Sequence, residues 1–404
     1  MVRITWIGAF GAACAITACN AEGGTTGMDP QVDAGPIADP DGAVPEEDAG
    51  ETPEVDAGPV EPASAGAVFA LSNDAEGNAV VMFARGVDGS LTAMGEFATG
   101  GLGTGMGLGS QGALAVDAAG EFLYVVNPGS HTIASMRIYD DHLGLVDTID
   151  TAGEMPTSLA VHGSSIYVVN AGGAGGVTGF SADAEGQLAR IEGAERALSS
   201  DASGPGQIGI TPEGDWLVVT ERATDRIATY AIAADGSLGE IVVNESEGRT
   251  PFGFDFTSGG VMVVSEAFGG DAGASAVSSY RVSDGGVLWL FSSSIPNGET
   301  AACWTAVLRD RFAYTTNTGS NTVSGYHIED DGQMRLFDGG GETAAWGDEQ
   351  APIDMATSAD DEYLYVLNRE ADTIVWFAVG DDGSLTSVGS AVDVPETSLG
   401  LAGL

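Results

Sequence analysis

One repeated phrase limits what this chain can fold into: a run of apolar residues that stops at a small polar one, met seven times. The copies end at Asn73 (AVFALSN), Asn127 (FLYVVN), Asn170 (SIYVVN), Thr220 (WLVVT), Ser265 (VMVVS), Asn317 (FAYTTN) and Asn368 (YLYVLN), at successive offsets of 54, 43, 50, 45, 52 and 51 residues. A period of roughly 40 to 50 residues is that of four-stranded propeller blades. The copy within Gly204–Ile232 shows the unit most clearly. QIGIT is a short apolar strand, PEGD a turn, WLVVT a continuous apolar strand and RIATYAI an alternating one.

Lettering the strands a to d from the inside, strand a precedes the turn: GALAV from Gly112, TSLAV from Thr157, QIGIT from Gln207, PFGFDF from Pro251, CWTAVL from Cys303 and PIDMAT from Pro352. Strand b is apolar throughout because it lies between neighbouring blades. The c to d hairpins carry Asp-Gly turns such as VDGS, AADGS and DDGS, which tolerate left-handed backbone. The first unit starts at strand b near Val68 and has no strand a ahead of it. The C-terminal TSLGLAGL, Thr397 to Leu404, matches TSLAV and is expected to supply it. The predicted fold is therefore an all-β, seven-bladed β-propeller whose C-terminal strand completes the first blade and leaves no open sheet edge.

Outside the repeats, residues 1–18 read as a signal peptide: Arg3, a short apolar segment, then Ile16, Thr17, Ala18 and Cys19, which resemble the bacterial lipobox. Cys19 is the expected lipidation site, with the mature protein anchored to a bacterial envelope membrane, facing the periplasm or the surface. Residues 19–65 hold twelve acidic residues and no Lys or Arg, the composition of a disordered tether. Residues 66–404, at about 48 per unit, form one closed array and no second domain. The net charge is −46, and every basic residue except the four His is Arg. Nucleic acid is excluded as a partner, because neutralising phosphates needs a basic surface. With one Cys in the leader and one lipidated, Cys303 is expected to stand alone, and a monomer is expected. The Asp-Gly turns lack the ligand series of a calcium loop. The Gly-rich stretch Thr99–Gly112 opens no helix, so it reads as a flexible loop rather than a phosphate cradle.

In such a blade the loops before strand a and after strand b gather on one face, around the mouth of the central channel. They bring Gln207, Arg249, Cys303 and Trp304 from the first kind, and Asn127, His131, Asn170, Glu221, Arg222, Glu266, Asn317, Asn368 and Arg369 from the second. An Asn closing each strand b suits a loop cap. Glu221 and Glu266 stand out, since two acids close together could raise the pKa of one. His131 is the single His of this set, which disfavours a zinc centre, and no metal or cofactor is expected.

The stretch GPGQIGITPEGDWLVVTERATDRI, with the YVVN and DGSL repeats, resembles the seven-bladed β-propeller lactonase family, which includes bacterial 6-phosphogluconolactonase and fungal carboxymuconate-lactonising enzymes. The later runs RTPFGFDF, VVSEAF, AACWTAV and YTTNTGSNTVSGY are similar to a secreted branch of it. The resemblance covers nearly all of residues 66–404. It implies a hydrolase of a lactone or related small ester at the channel mouth. Glu221 would be the general base and Gln207 the holder of the carbonyl oxygen. Arg222 or Arg249 would bind an anionic substituent, and Glu266, Trp304, Asn317, Asn368 and His131 would line the substrate. The family's GPRH-like motif departs here: Gly206 stands where Arg is expected and Gln207 where His is. The alternative is a non-catalytic propeller that binds a ligand or protein at the same mouth. Both readings expect Gln207 and Glu221 to face each other.

Overall fold

The computed structural model describes residues 64–337, 340–347, 350–389 and 392–404. The expected leader, Cys19 and the tether up to residue 63 lie outside the described residues. Seven antiparallel sheets are present, six built on four successive strands and the first on three strands and the C-terminal one, in the order expected. Short strands at Ala344–Ala345 and Val392–Asp393 add to the sixth and seventh by pairing with their third strands.

The strands follow their sequence patterns. Phe122–Asn127, strand b of blade 2, is buried along its whole length, because its two faces meet two neighbouring blades. The outermost strand of the first blade, Leu91–Ala98, is mostly exposed after Leu91. The inner strands are Leu399–Gly403 in blade 1, then Leu114–Val116, Glu154–His162, Pro205–Ile210, Pro251–Phe256, Ala302–Leu308 and Pro352–Thr357. Each packs against the next around the ring.

Closure occurs as the repeat count requires. Leu399–Gly403 pairs antiparallel with Gly66–Leu71, opposing Val68 to Gly403 and Ala70 to Leu401. Gly400, at φ 77°, takes up a bulge that an L side chain would strain. Leu404 adds two backbone bonds to Ala67, at 2.8 and 3.1 Å.

An inner strand has a partner on one side only, so N–H groups along its channel edge need other acceptors. The preceding blade provides them. Ile208 N–H donates to Ser158 Oγ (3.1 Å), Phe254 N–H to Gln207 Oε1 (2.6 Å), Val307 N–H to Asp255 Oδ2 (2.8 Å) and Leu401 N–H to Asp354 Oδ2 (3.1 Å). Leu159 N–H uses a carbonyl instead, that of Gly112 (2.8 Å). Side chains thus lace the inner ring from blade to blade.

Two expectations are corrected. The Gly-rich stretch is not a loose loop. Asn73 grips Thr104 and Met106 with its amide, Gly103 and Gly105 donate to the carbonyls of Asp74 and Asn73, and Gly129 donates to Leu102. Its glycines allow this approach, since a Cβ at Gly103 would lie 2.1 Å from the Asn73 carbonyl carbon. Glycine content signals close contact here, not mobility. Cys303, fully buried, is disulfide-bonded rather than alone. The short leader motif assigns the other two cysteines elsewhere, and spacing cannot test such an assignment against pairing.

Candidate functional site

The residues closing strand b repeat one structural device. Asn127 accepts from Asn78 Nδ2 (2.8 Å) and Thr99 Oγ1 (2.6 Å), which tie the end of the preceding blade's outer strand to it. Asn317 accepts from Asn297 Nδ2 (3.1 Å) and donates to Thr322 and Ser324. Asn368 donates to Gln350 (3.3 Å), and its Oδ1 is buried without a partner.

Glu221 and Glu266 are acidic versions of the same tie. The Glu221 carboxylate is fully buried and accepts from Ser199 N–H (2.8 Å), Ser199 Oγ and Thr224 Oγ1 (2.8 Å). Glu266, equally buried, accepts from Gly248 N–H (2.9 Å), Ser278 Oγ and Ser294 Oγ (2.6 Å). Burial pushes the Glu266 carboxyl up against the opposing pull of these donors, with a smaller push from Glu247. Glu221 is not among the causes, so the two acids do not form a coupled pair.

Gln207 is separate from Glu221. Its amide points along the inner ring to Phe254 N–H, while Glu221 reaches outward to the connection carrying Ser199. The two positions flank one strand pair, with Pro205 opposite Glu221 and Gln207 opposite Thr220. A one-residue offset in a pleated strand sends neighbouring side chains to opposite faces. The expectation that they face each other is therefore not met.

A different group sits at the mouth. Ser110 and Gln111, at the head of blade 2's inner strand, reach across the channel to blade 6. Gln111 Nε2 donates to the Thr305 carbonyl (2.7 Å) and its Oε1 accepts from Thr305 N–H (2.9 Å), while Trp304 Nε1 donates to the Ser110 carbonyl (3.1 Å). Gln111 N–H also donates to the Gly206 carbonyl (3.0 Å). Gly253 admits this crossing, for a Cβ there would lie 2.1 Å from Gln111 Oε1. Below it lies a cavity of about 240 Å3 bordered by Gln207, Phe254, Asp255 and Asp354. Burial raises the carboxyls of Asp255 to about 6 and Asp354 to about 7, despite the backbone N–H groups that favour their charged forms.

Beside the crossing, the Trp304 ring lies 4.9 Å from that of Phe252, and the Arg222 guanidinium sits 5.2 Å over Phe252. Arg222 donates through Nε to the Gly204 carbonyl (3.2 Å) and has no carboxylate partner among the described residues. Burial alone lowers its pKa to about 10. Its Nη1 and Nη2 make no hydrogen bond among the described residues and stay open to solvent on a half-buried side chain. Its stem also packs over Gly206: a Cβ there would lie 3.2 Å from Arg222 Cγ and 3.0 Å from the Phe252 carbonyl oxygen.

The other expected ligand residues are dispersed. Arg249 is exposed and paired with Asp271 (2.6 Å). Arg369 is half-buried, its pKa lowered first by burial. His131 is exposed, and its Nδ1 accepts from Met155 N–H (3.0 Å), which leaves the proton of the neutral ring on Nε2. That outward nitrogen is a donor, not a base. No group of three or more His, Cys, Asp or Glu placed to hold a metal occurs among the described residues.

Phe252, Ser110, Gln111, Asp255 and Asp354 are not singled out by the sequence. A signal exists for Gln111, which stands at the head of its strand where Pro156, Pro205, Pro251 and Pro352 stand in others. Glutamine there restores an N–H and adds a reaching amide.

Comparison with known proteins agrees with this architecture. The family model for lactonase, the seven-bladed β-propeller, matches residues 174–302 and 292–399, more than half of the chain. The chain therefore belongs to the seven-bladed β-propeller lactonase family. Among solved structures it is similar to the periplasmic gluconolactonase of Pseudomonas aeruginosa, at 20% identity and a TM-score of 0.65, with 84% of this chain and 99% of that one covered. A putative 6-phosphogluconolactonase from Bacteroides fragilis gives 17% identity and a TM-score of 0.63 over 84% of this chain and 98% of its own. A protein from Lactobacillus plantarum gives 20% and 0.67, over 84% and 99%. At these identities the likeness concerns the fold. No curated protein matches in sequence.

Proposed function

We propose that the channel mouth receives a small anionic molecule of the sugar-lactone or sugar-acid type, held by Arg222 against Phe252, and that the chain acts as a binding propeller. The observation carrying this reading is the Arg222 fork, a half-buried guanidinium with no carboxylate partner among the described residues of a chain with net charge −46. An anion docking there gains bidentate, charge-assisted hydrogen bonds that water matches poorly in a half-buried site. Hydrolysis would need a general base within reach of an attacking water. Glu221 is fully buried and already accepts from three donors, so it is a poor base as it stands.

The hydrolase reading, with Glu221 activating water, is favoured by family membership and by the names of the solved neighbours. One experiment separates the two. The purified chain is titrated with 6-phosphogluconate and gluconate by calorimetry and assayed on the matching δ-lactones. We expect 6-phosphogluconate to bind and Arg222→Gln to weaken it about 10- to 100-fold, the worth of a charged hydrogen-bond pair. Lactone opening well above the uncatalysed rate, abolished by Glu221→Gln, would replace the binding reading with the hydrolase one.

We also propose, as the alternative to a disulfide between Cys303 and an N-terminal cysteine, that the protein is held at the cell envelope through a lipid on Cys19. Cys19→Ser is expected to move it from detergent-extracted to soluble fractions. Unchanged partitioning, with no lipid mass on the wild type, would refute the anchor.

A further inference from the structure

A recess of about 670 Å3 opens beside blade 3, on the face that carries the loops after strand b. One wall is the glycine-rich turn Gly172–Gly176, another is Ala152–Glu154 and a third is Glu195–Ala197, with Asn170, Val177 and Thr178 at the base. Asn170 is only 2% exposed, yet its Oδ1 has no partner, and its Nδ2 makes one long contact of 3.5 Å to Thr178.

Two of the chain's own repeats show how this position is satisfied, while Asn368 shares the unpartnered oxygen. At Asn127 and Asn317 the preceding connection supplies an Asn amide or Thr hydroxyl to the equivalent oxygen. At blade 3 a Gly packs against the amide as in blade 2, an added Cβ lying 2.5 Å from the Asn170 amide carbon at Gly153 and 2.3 Å from that of Asn127 at Gly101, but Thr151, in the place of Thr99, turns its hydroxyl to the carbonyls of His131 and Gly153. The backbone passes close without offering a donor. A buried acceptor left unmatched costs free energy that a ligand donor recovers.

We infer that this recess is a carbohydrate site, distinct from the channel mouth, with the Asn170 amide facing a pair of ring hydroxyls. An amide with an unused acceptor and a weakly used donor matches vicinal hydroxyls, which do both. Glycine walls allow close approach of a flat ring, and Val177 offers it an apolar contact. A cationic ligand fits less well. Asp150 is paired with Arg190 (3.1 Å) and Glu195 lies 3.8 Å from the same guanidinium, which leaves Glu154 as the one carboxylate of the recess without an ion pair among the described residues. The Arg196 guanidinium at the rim is bound by the carbonyls of Gly193, Glu195, Leu238 and Gly239, so an anion finds no open cation.

The test uses the full chain and saturation-transfer NMR with glucose, galactose, mannose and N-acetylglucosamine, with cadaverine as a cationic probe. Two variants accompany it: Asn170→Ala, and Ala174→Trp, which fills the recess from an exposed turn and leaves the folded core untouched. The expected result is binding of at least one sugar, weakened about tenfold or more by Ala174→Trp at unchanged melting temperature. Absence of binding by all four sugars, sugar binding that survives Ala174→Trp, or binding of cadaverine alone would each overturn the inference.

Discussion

Glu221 shows how one residue can be conspicuous in sequence for one reason and used in the structure for another. It ends strand b where four other blades place Asn, and a carboxylate there receives three hydrogen bonds at once. Glutamine keeps one accepting oxygen and turns a donor towards donors. We therefore expect Glu221→Gln to destabilise the fold by about 1–3 kcal/mol, read from urea unfolding. A purely catalytic Glu221 would show lost turnover with unchanged stability, and that outcome would reverse this assignment. The position is legible in the chain, because an acid interrupts a series of Asn. Its role is not, since the donor Ser199 becomes a neighbour only after the connection from blade 3 folds back. Arg222 is legible as a cation on the mouth face, but the lack of a partner carboxylate is a property of packing that no spacing reveals.

The inner strands, taken as elements, are readable from a pattern of short apolar runs before turns. What joins them is not. Ser158, Asp255 and Asp354 read as incidental polar residues in apolar strands and Gln207 as a site residue, yet each satisfies an edge N–H of the next blade. Using carboxylates for this has a consequence in pH. Asp354 and Asp255, raised by burial to about 7 and about 6, hold protons in the folded state that the unfolded chain releases near 3.8. Their protonation favours folding, so this contribution is full below pH 4 and is lost as pH rises through 6 and 7. Several exposed acids, among them Asp88 and Asp235, are held below 3.8 by Ser hydroxyls and act oppositely at lower pH. Stability should therefore be greatest near pH 4, fall by a few kcal/mol between about pH 4 and 7 and level off above that, since each tenfold difference in proton affinity between folded and unfolded chain is worth about 1.4 kcal/mol. Asp354→Asn cannot accept two N–H groups, so it should lower stability throughout. The decisive reading is its slope, which should flatten between about pH 4 and 7. An unchanged slope would mean that Asp354 does not titrate in this range.

At the scale of the whole molecule, the ring is closed by seven residues that begin nothing of their own. The repeat count already requires this, because the first unit has strands b, c and d but lacks an inner strand, while the chain ends on a phrase with no b strand after it. Leu399–Gly403 fills the gap, held on one side by Gly66–Leu71 and on the other by Asp354 of the seventh blade. It therefore joins first and last blades at once. Removing Ser398 to Leu404 would strip partners from the inner edge of Gly66–Leu71, uncover apolar residues such as Phe69 and Leu71, and leave the Asp354 carboxylate buried with one donor fewer. Several lost backbone bonds at about 1–3 kcal/mol each approach a domain's margin of about 5–15 kcal/mol. An open edge of this kind also invites pairing with a second chain. The truncated protein is expected to unfold or to form oligomers on size exclusion, with a lowered melting temperature. Adding the peptide TSLGLAGL in trans should restore part of the lost stability, since the missing strand is a contiguous piece of backbone with one binding edge on each side. A truncated chain that stays monomeric and melts where the full chain does would mean that the ring holds without its clasp.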